Sequence, residues 1–217
     1  PIHGYIKLYN YELRIINTPI FQRLRRIKQA TGVDYVYPGA THSRFSHCLG
    51  VMHIAGIFTE KLLSEIPVPK SEIDRWVAIM RLWGLTHDIG HGPFSHIFDD
   101  IILRRYKTTH EKMGARILRE HQVLKEIFDE DRQLKDLGIK CTDIASIIEC
   151  EGEEEWPFEE EYTKALYYVC RGAYSADIID YVLRDSFFTG AGYGRHIDWQ
   201  RLLHTSHITN NKLALER

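Results

Sequence analysis

The sequence lacks any uninterrupted apolar run near the ~18 residues that a membrane-spanning helix needs. It also lacks a C-x-x-C pair, since Cys48, Cys141, Cys150 and Cys170 are widely spaced. That spacing disfavours a zinc finger, and at this length it implies no disulfide framework. The four thiols read as reduced, in an intracellular, cytoplasmic protein (nuclear if the source is a eukaryote), with Cys48 and Cys170 packed in helices. Charge of one sign is missing too. Lys and Arg number 28 against 30 Asp and Glu, a formal net charge of −2. No global field therefore pulls the chain toward a membrane, and net charge does not indicate nucleic-acid binding. No internal repeat, low-complexity tract or charged-then-apolar leader stands out. A start at Pro1 suggests a piece of a longer protein.

What is present is an ordinary globular composition. Across 217 residues, 44% are hydrophobic and 27% charged, enough for one sizeable domain. Helix signals dominate. Thr18-Pro19 reads as an N-cap and first turn, with Ile20, Leu24 and Ile27 at helical spacing up to Gly32. Tyr35 to Gly39 reads as a short extended connection. Ser43 is placed to cap a long helix running to about Ile66, ended by Pro67 and Pro69. Ser71 with Asp74 resembles a capping box for a helix that is apolar on most sides and hence central. Further helices are expected over Ser95 to Tyr106, Thr109 to Phe128, Thr142 to Cys150, Tyr162 to Arg171 and Ser175 to Phe188. Asn210-Asn211 between two short apolar runs predicts a β-hairpin at the end, with no sheet to join, which again suggests chain missing downstream. The glutamate-rich stretch Glu151 to Glu161 reads as a solvated loop; Trp156 and Phe158 within it offer the alternative of a lid or partner contact.

The chemistry concentrates in His87-Asp88-Ile89-Gly90-His91-Gly92-Pro93-Phe94-Ser95-His96. Histidine is the commonest metal ligand and the side chain most readily tuned near neutral pH. Neighbours such as His87 and Asp88 point about 100° apart on a helix, so both reach one ion only near a helix end, which Gly90 supplies. His47 is the best third ligand, because it opens the long helix with Arg44 on the same face. The fourth should be a carboxylate. Asp177, Tyr181 and Asp185 form one helical stripe bordered by aliphatic residues, with Asp180 as the rival. Such a mixed nitrogen and oxygen set suits Mn, Fe, Zn or Ni, and Mg less naturally.

These residues resemble the HD-domain superfamily of metal-dependent phosphohydrolases, named for the adjacent His-Asp pair. Further blocks narrow the likeness: Pro1-Ile2-His3-Gly4, the run from Thr18 through Arg25, Pro38-Gly39-Ala40 through His47, His87 to His96, and Asp180-Tyr181 with Arg184-Asp185. Together they resemble the deoxynucleoside triphosphate triphosphohydrolases, a group that includes bacterial dGTPases and vertebrate enzymes joining a sterile-alpha-motif domain to an HD domain. The likeness covers nearly the whole chain. It implies an all-α HD-domain fold over residues 1–217, to which the residues themselves add the short C-terminal β-hairpin, lacking a C-terminal region present in longer relatives. It implies metal ligands His47, His87, Asp88 and Asp177, favouring Asp177 over Asp180. His91, His96, Asp99 and His110 match residues around the phosphates, and Arg44 matches a phosphate-binding arginine. Gln29, Tyr181 and Asp185 match positions that hold the deoxyribose, where the bulk of Tyr181 would exclude a 2′-hydroxyl. Asp99, three residues after His96, is expected to orient that imidazole. Gln22 and Arg25 fit a regulatory nucleotide site, with Arg23, Arg25, Arg26 and Lys28 otherwise read as a solvated face.

Two departures are visible. Asn17 stands where nucleotide-regulated members carry an aspartate that reads guanine, and Ile178 replaces a lysine that follows the metal aspartate in some members. The implied activity is hydrolysis of dNTPs to a deoxynucleoside and inorganic triphosphate, by a homo-oligomer with a possible activating nucleotide. Rival readings are another HD phosphohydrolase activity, on nucleoside monophosphates, cyclic nucleotides or single-stranded nucleic acid, and a nucleotide-binding regulatory module without catalysis.

Overall fold

Two long helices, α3 (Arg44–Ser64) and α4 (Lys70–Thr86), form the centre of the computed structural model, which describes residues 2–216. Pro1, the first residue of the first family-like block, and Arg217 lie outside the described residues. Before this pair come α1 (Asn10–Ile16) and α2 (Pro19–Gln22). After it follow α5 (His96–Ile101), α6 (His110–Glu120), α7 (Gln122–Glu130), α8 (Arg132–Asp136) and α9 (Cys141–Glu149). The chain then forms α10 (Lys164–Arg171), α11 (Ala176–Thr189), α12 (Trp199–Thr205) and an antiparallel hairpin of β1 (Ser206–Thr209) and β2 (Lys212–Leu215). The fold is all-α apart from that hairpin. Asn210 and Asn211 both take positive φ (51° and 60°), as a two-residue hairpin turn requires.

α3 and α4 approach closely because Gly84 has no side chain. A Cβ there would lie 2.7 Å from the Met52 backbone nitrogen. Phe58 and Leu62 of α3 and Trp76, Ile79 and Met80 of α4 are almost fully buried in the common core. Each such side chain contributes roughly 1.5–3 kcal/mol through burial. α11 packs across α3 at Gly50, and α6 pairs with α9, which also contacts α4. Cys48 and Cys170 are buried in α3 and α10 as expected, and all four cysteines are free.

Several boundaries differ from the sequence reading. The helix begun by Thr18 is capped as expected, its hydroxyl accepting from Phe21 N, but it tightens into a 3-10 turn over Arg23–Arg26 and ends. Ile27 O instead accepts from Arg44 N, and Gln29 N donates to His42 O. This local pairing outbids continued helix and delivers Gln29 to the site. The segment from Tyr35 to Gly39 is not extended: a 3-10 turn over Val33–Tyr35 runs into further turns, with Tyr37 N bonded to Val33 O and Ala40 N to Tyr37 O. Ser43 is the N-cap of α3 as expected, its carbonyl accepting from Ser46 N and His47 N, but its side chain makes no capping bond. The Ser71–Asp74 capping box does not form: α4 begins at Lys70 after Pro69, and Asp74 pairs with Lys70 at 2.9 Å. The helix expected over Thr109 to Phe128 breaks at His121. Leu118 and Leu124 are both buried, and six residues turn a helix by about 240°, so only a break turns both inward. Trp156 and Phe158 are neither solvated nor a lid. Trp156 donates to Thr163 Oγ1 at 3.0 Å, and Phe158 packs edge-on against Trp76, pinning the acidic loop to the core. No helix among the described residues is long and apolar enough to cross a membrane.

Candidate metal centre and active site

His47, in the first turn of α3, and His87, the residue that caps α4, face one another with ring centroids 5.3 Å apart. Each ring is fixed by its Nδ1. His47 Nδ1 donates to Asp180 Oδ2 at 2.8 Å, and His87 Nδ1 donates to Gly84 O at 2.9 Å. The Nε2 atoms are then the nitrogens left to bind an ion, once deprotonated, and they lie within 4.8 Å of each other. Both are buried without a hydrogen-bond partner. Asp177, in the first turn of α11, brings Oδ1 to 2.9 Å from His47 Nε2 and 4.0 Å from His87 Nε2. Asp88 stands alongside, Oδ1 3.5 Å from His87 Nε2 and Oδ2 3.9 Å from His47 Nε2. The two imidazole nitrogens and the Asp177 carboxylate lie within 4.8 Å of one another and suit a divalent cation; Asp88 stands outside that group, with its Oδ2 bonded to Arg44. The electrostatics agree. Burial opposes a charge on His47, yet Asp177 and Asp180 outweigh it and raise its pKa to about 10. The pocket thus favours a positive charge, which a cation supplies in place of the proton. Burial likewise opposes ionisation of Asp88, but His87, Arg44 and His91 hold its carboxyl well below the usual range.

Asp180 serves His47 from behind. It is fully buried and accepts from His3 Nε2 at 2.6 Å and twice from Arg184 at 2.8 Å, besides His47. Such a carboxylate orients the ligand ring and raises its basicity. Gly50 makes room for it, since a Cβ there would overlap Asp180 Oδ1. His3 and Arg184 stand in the family-like blocks of the sequence, but nothing there assigns them a role. The Asp180–Arg184 spacing of four on a helix was the available signal.

A second group gathers beside the first. His91, His96, Asp99 and His110 place one donor atom each within 4.8 Å of one another. His91 and His110 stack with centroids 3.8 Å apart. Asp99 orients His110 rather than His96: it bonds His110 Nδ1 at 2.6 Å, while His96 Nδ1 lies 3.5 Å away. The physical reason is that α5 is short and leaves the His96 side chain 71% exposed, whereas the start of α6 is packed on the His-Asp turn. Burial, followed by Arg44 and His110, drives the His91 pKa down to about 4 against the pull of Asp88, so His91 is neutral near pH 7.

Both groups open on a cavity of about 680 Å³, which Gln29, Arg44, Ser95, Arg171, Ile178 and Tyr181 also line. Arg44 donates to Asp88 Oδ2 and, at 2.9 Å, to Ser95 Oγ. Phe94 and Ser95 both hold positive φ (66° and 51°), a strained conformation that turns the Ser95 hydroxyl toward Arg44. Gln29 Oε1 is buried and unpartnered. Asp185 is not among the lining residues. It lies farther along α11, bonded to His42 Nε2 at 2.5 Å, and His42 stacks on Phe188. The proposed regulatory residues cluster apart from the cavity. Gln22 Nε2 donates to Ile16 O at 2.7 Å, Arg25 Nε donates to Gln22 Oε1 at 2.7 Å, and Asn17 ends α1 next to them. Arg25 also lies 3.6 Å over the Phe45 ring, so it is not simply solvated.

Residues 44–182 match the family model described as HD domain. The chain belongs to the HD-domain family. It is 36% identical to the human deoxynucleoside triphosphate triphosphohydrolase SAMHD1, over 99% of this chain and 37% of that protein. It is 33% identical to the SAMHD1 homolog of Dictyostelium discoideum, over 98% of this chain and 40% of the other. A hypothetical protein from Aquifex aeolicus superposes on it with a TM-score of 0.77 at 32% identity, covering all of this chain and 52% of the other. The HD-domain chain therefore spans about two-fifths or less of the length of these curated relatives.

Proposed function

We propose that the chain forms the catalytic part of a metal-dependent phosphohydrolase that cleaves a dNTP to a deoxynucleoside and inorganic triphosphate. The observation that carries the reading is the pair of orphaned Nε2 atoms of His47 and His87, facing Asp177 and Asp88 at the edge of a cavity that also presents Arg44, His91, His96 and His110. His47, His87, Asp88 and Asp177 would hold the cation, with Asp180 fixing the His47 ring. When bound, the cation supplies Lewis acidity toward a phosphoryl oxygen and a more acidic water.

The chain's own side chains do the rest. Arg44 offers planar donors suited to a phosphate, supported by Ser95. His110, aligned by Asp99, is the proton donor for the leaving oxygen, with the exposed His96 able to follow the substrate. His91, neutral, packs His110 in place. Tyr181 presents a face to the deoxyribose. Asp185, bonded to His42 and outside the cavity lining, takes no part in these contacts. Arg171 supplies a guanidinium on the cavity wall where Ile178 offers none. The human and Dictyostelium relatives named for dNTP triphosphohydrolase activity support this choice of substrate. Asn17, Gln22 and Arg25 form the proposed site for an activating nucleotide, and a homo-oligomer is the proposed assembly.

Incubation with each dNTP and several divalent ions, with chromatography of the products, tests the proposal. Release of inorganic triphosphate supports it. Orthophosphate as the sole product rejects it in favour of another phosphohydrolase reaction. Tight dNTP binding with no turnover makes the chain a nucleotide-binding module instead.

A further inference from the structure

The turn that carries His87 and Asp88 has no following helix to satisfy its carbonyls. α4 stops at Thr86, Ile89 N bonds back to Thr86 O, and His91 N bonds back to Asp88 O. Among the described residues, the carbonyls of Ile89 and His91 accept from no backbone N–H. Carbonyls at a helix end concentrate partial negative charge. Arg23 answers both: one guanidinium nitrogen donates to Ile89 O and the other to His91 O. Arg23 forms no ion pair among the described residues, so these dipoles are the partners of its half-buried charge. On the other side the turn is wedged against α6. A Cβ on Gly90 would fall 1.9 Å from His110 O and 2.5 Å from Gly114 N.

We propose that Arg23 is a positioning residue for the metal centre: its fork fixes the turn from His87 to His91, so that Asp88 and His91 keep register with His47 and Asp177, and ties that turn to the strip bearing Gln22 and Arg25. The proposal rests on the reading of His47, His87, Asp88 and Asp177 as cation ligands. It extends that reading to a residue that touches neither cation nor substrate. Geometry supports the role twice. A planar guanidinium meets two carbonyls separated by one residue, which a point-like ammonium matches poorly. The 3-10 turn that carries Arg23 is itself anchored. Gln22 is bonded to α1 through Ile16 O, and Arg25 is bonded to Gln22 and stacked on Phe45 of α3. Arg23 therefore acts as a strut from a fixed base. Metal ligation tolerates displacements of only about 0.2 Å, so a turn loosened by more than this loses affinity without unfolding.

The test titrates Co²⁺ into the purified chain, recording affinity and the visible ligand-field spectrum. Wild type is compared with Arg23→Gln, Arg23→Lys, Arg23→Ala and the exposed neighbour Arg26→Ala, alongside the melting temperature of each metal-free protein. Arg23→Gln is expected to weaken Co²⁺ at least about tenfold, as for loss of an outer-shell partner, and to alter the spectrum. Arg23→Lys should recover part of the loss, Arg26→Ala should match wild type, and millimolar guanidinium should restore affinity to Arg23→Ala. If Arg23→Ala fails to fold, Arg23→Gln and Arg23→Lys decide the matter. Variants with lowered melting temperature but wild-type affinity and spectrum would show a merely structural arginine and overturn the proposal alone. A wild-type chain that binds no Co²⁺ overturns the ligand reading, and the proposal with it.

Discussion

A single methyl group at position 50 sets helix propensity against the support of the metal centre. In an ordinary helix interior, Gly→Ala stabilises by about 1 kcal/mol. Here the new Cβ would lie 1.7 Å from Asp180 Oδ1 and 2.7 Å from an Arg184 guanidinium nitrogen. Asp180 has nowhere to retreat, because His3, His47 and Arg184 all bond to it and none of its surface is exposed. Overpacking costs roughly 1–3 kcal/mol. Pulling a buried carboxylate from its guanidinium costs roughly 3–5 kcal/mol when the pair is fully broken. Even a partial break outweighs the propensity gain, so Gly50→Ala should lose about 2 kcal/mol or more. For a chain of this size that is a fall of roughly 4–8 °C in melting temperature. His47 also loses its anchor, which predicts a drop of about 10–100-fold in metal affinity. Calorimetry of the metal-free protein and a metal titration read the two effects. Gly152→Ala, with nothing within 4 Å of its added Cβ, is the control and should match wild type. A raised melting temperature with unchanged metal affinity for Gly50→Ala would refute the reasoning.

Asp180→Asn should weaken metal binding by about 10–100-fold while leaving His47 and His87 in place; equal affinity in a titration would show that the buried carboxylate does not serve the ligand. His110→Ala should keep wild-type metal affinity and lose roughly 10²–10⁴-fold in dNTP turnover, as expected for a missing proton donor; full turnover would remove His110 from the chemistry. The metal-free protein should change stability with pH in a defined window. Because the folded pKa of His47 is raised to about 10 from 6.5, its contribution is complete below about 6.5 and is lost as pH rises toward 10. Urea midpoints measured in chelator across that range should decline, whereas metal affinity should rise with pH over the same range because the ligand must be deprotonated. A flat chelator profile would contradict the placement of His47 between two ionised carboxylates.

The elements most legible in the sequence were those with strong local chemistry. The Asn210-Asn211 turn named its hairpin, the apolar span of α4 marked it as central, and the His87-Asp88 pair before a Gly/Pro-rich turn marked the site. The metal carboxylate was narrowed to the stripe of α11, and the fold then placed Asp177 toward the imidazoles and Asp180 behind them. What stayed hidden depends on contacts distant along the chain. His3 meets Asp180 across 177 positions, and Arg23 reaches the Ile89 and His91 carbonyls across more than 60. Neither pairing leaves a periodic trace. The partner of Asp99 was misjudged because sequence proximity favoured His96, three residues away, over His110, which arrives on another helix. Asp185 continued the stripe in sequence, but in the fold it is held by His42 and does not line the cavity.

Anomalous diffraction from crystals of the metal-loaded chain, measured at the absorption edge of the bound ion, addresses the central assignment directly. The account predicts one strong peak at bonding distance, roughly 2.0–2.2 Å, from His47 Nε2, His87 Nε2 and the carboxylates of Asp88 and Asp177. A peak among His91, His96, Asp99 and His110 instead, with none between His47 and His87, would contradict it.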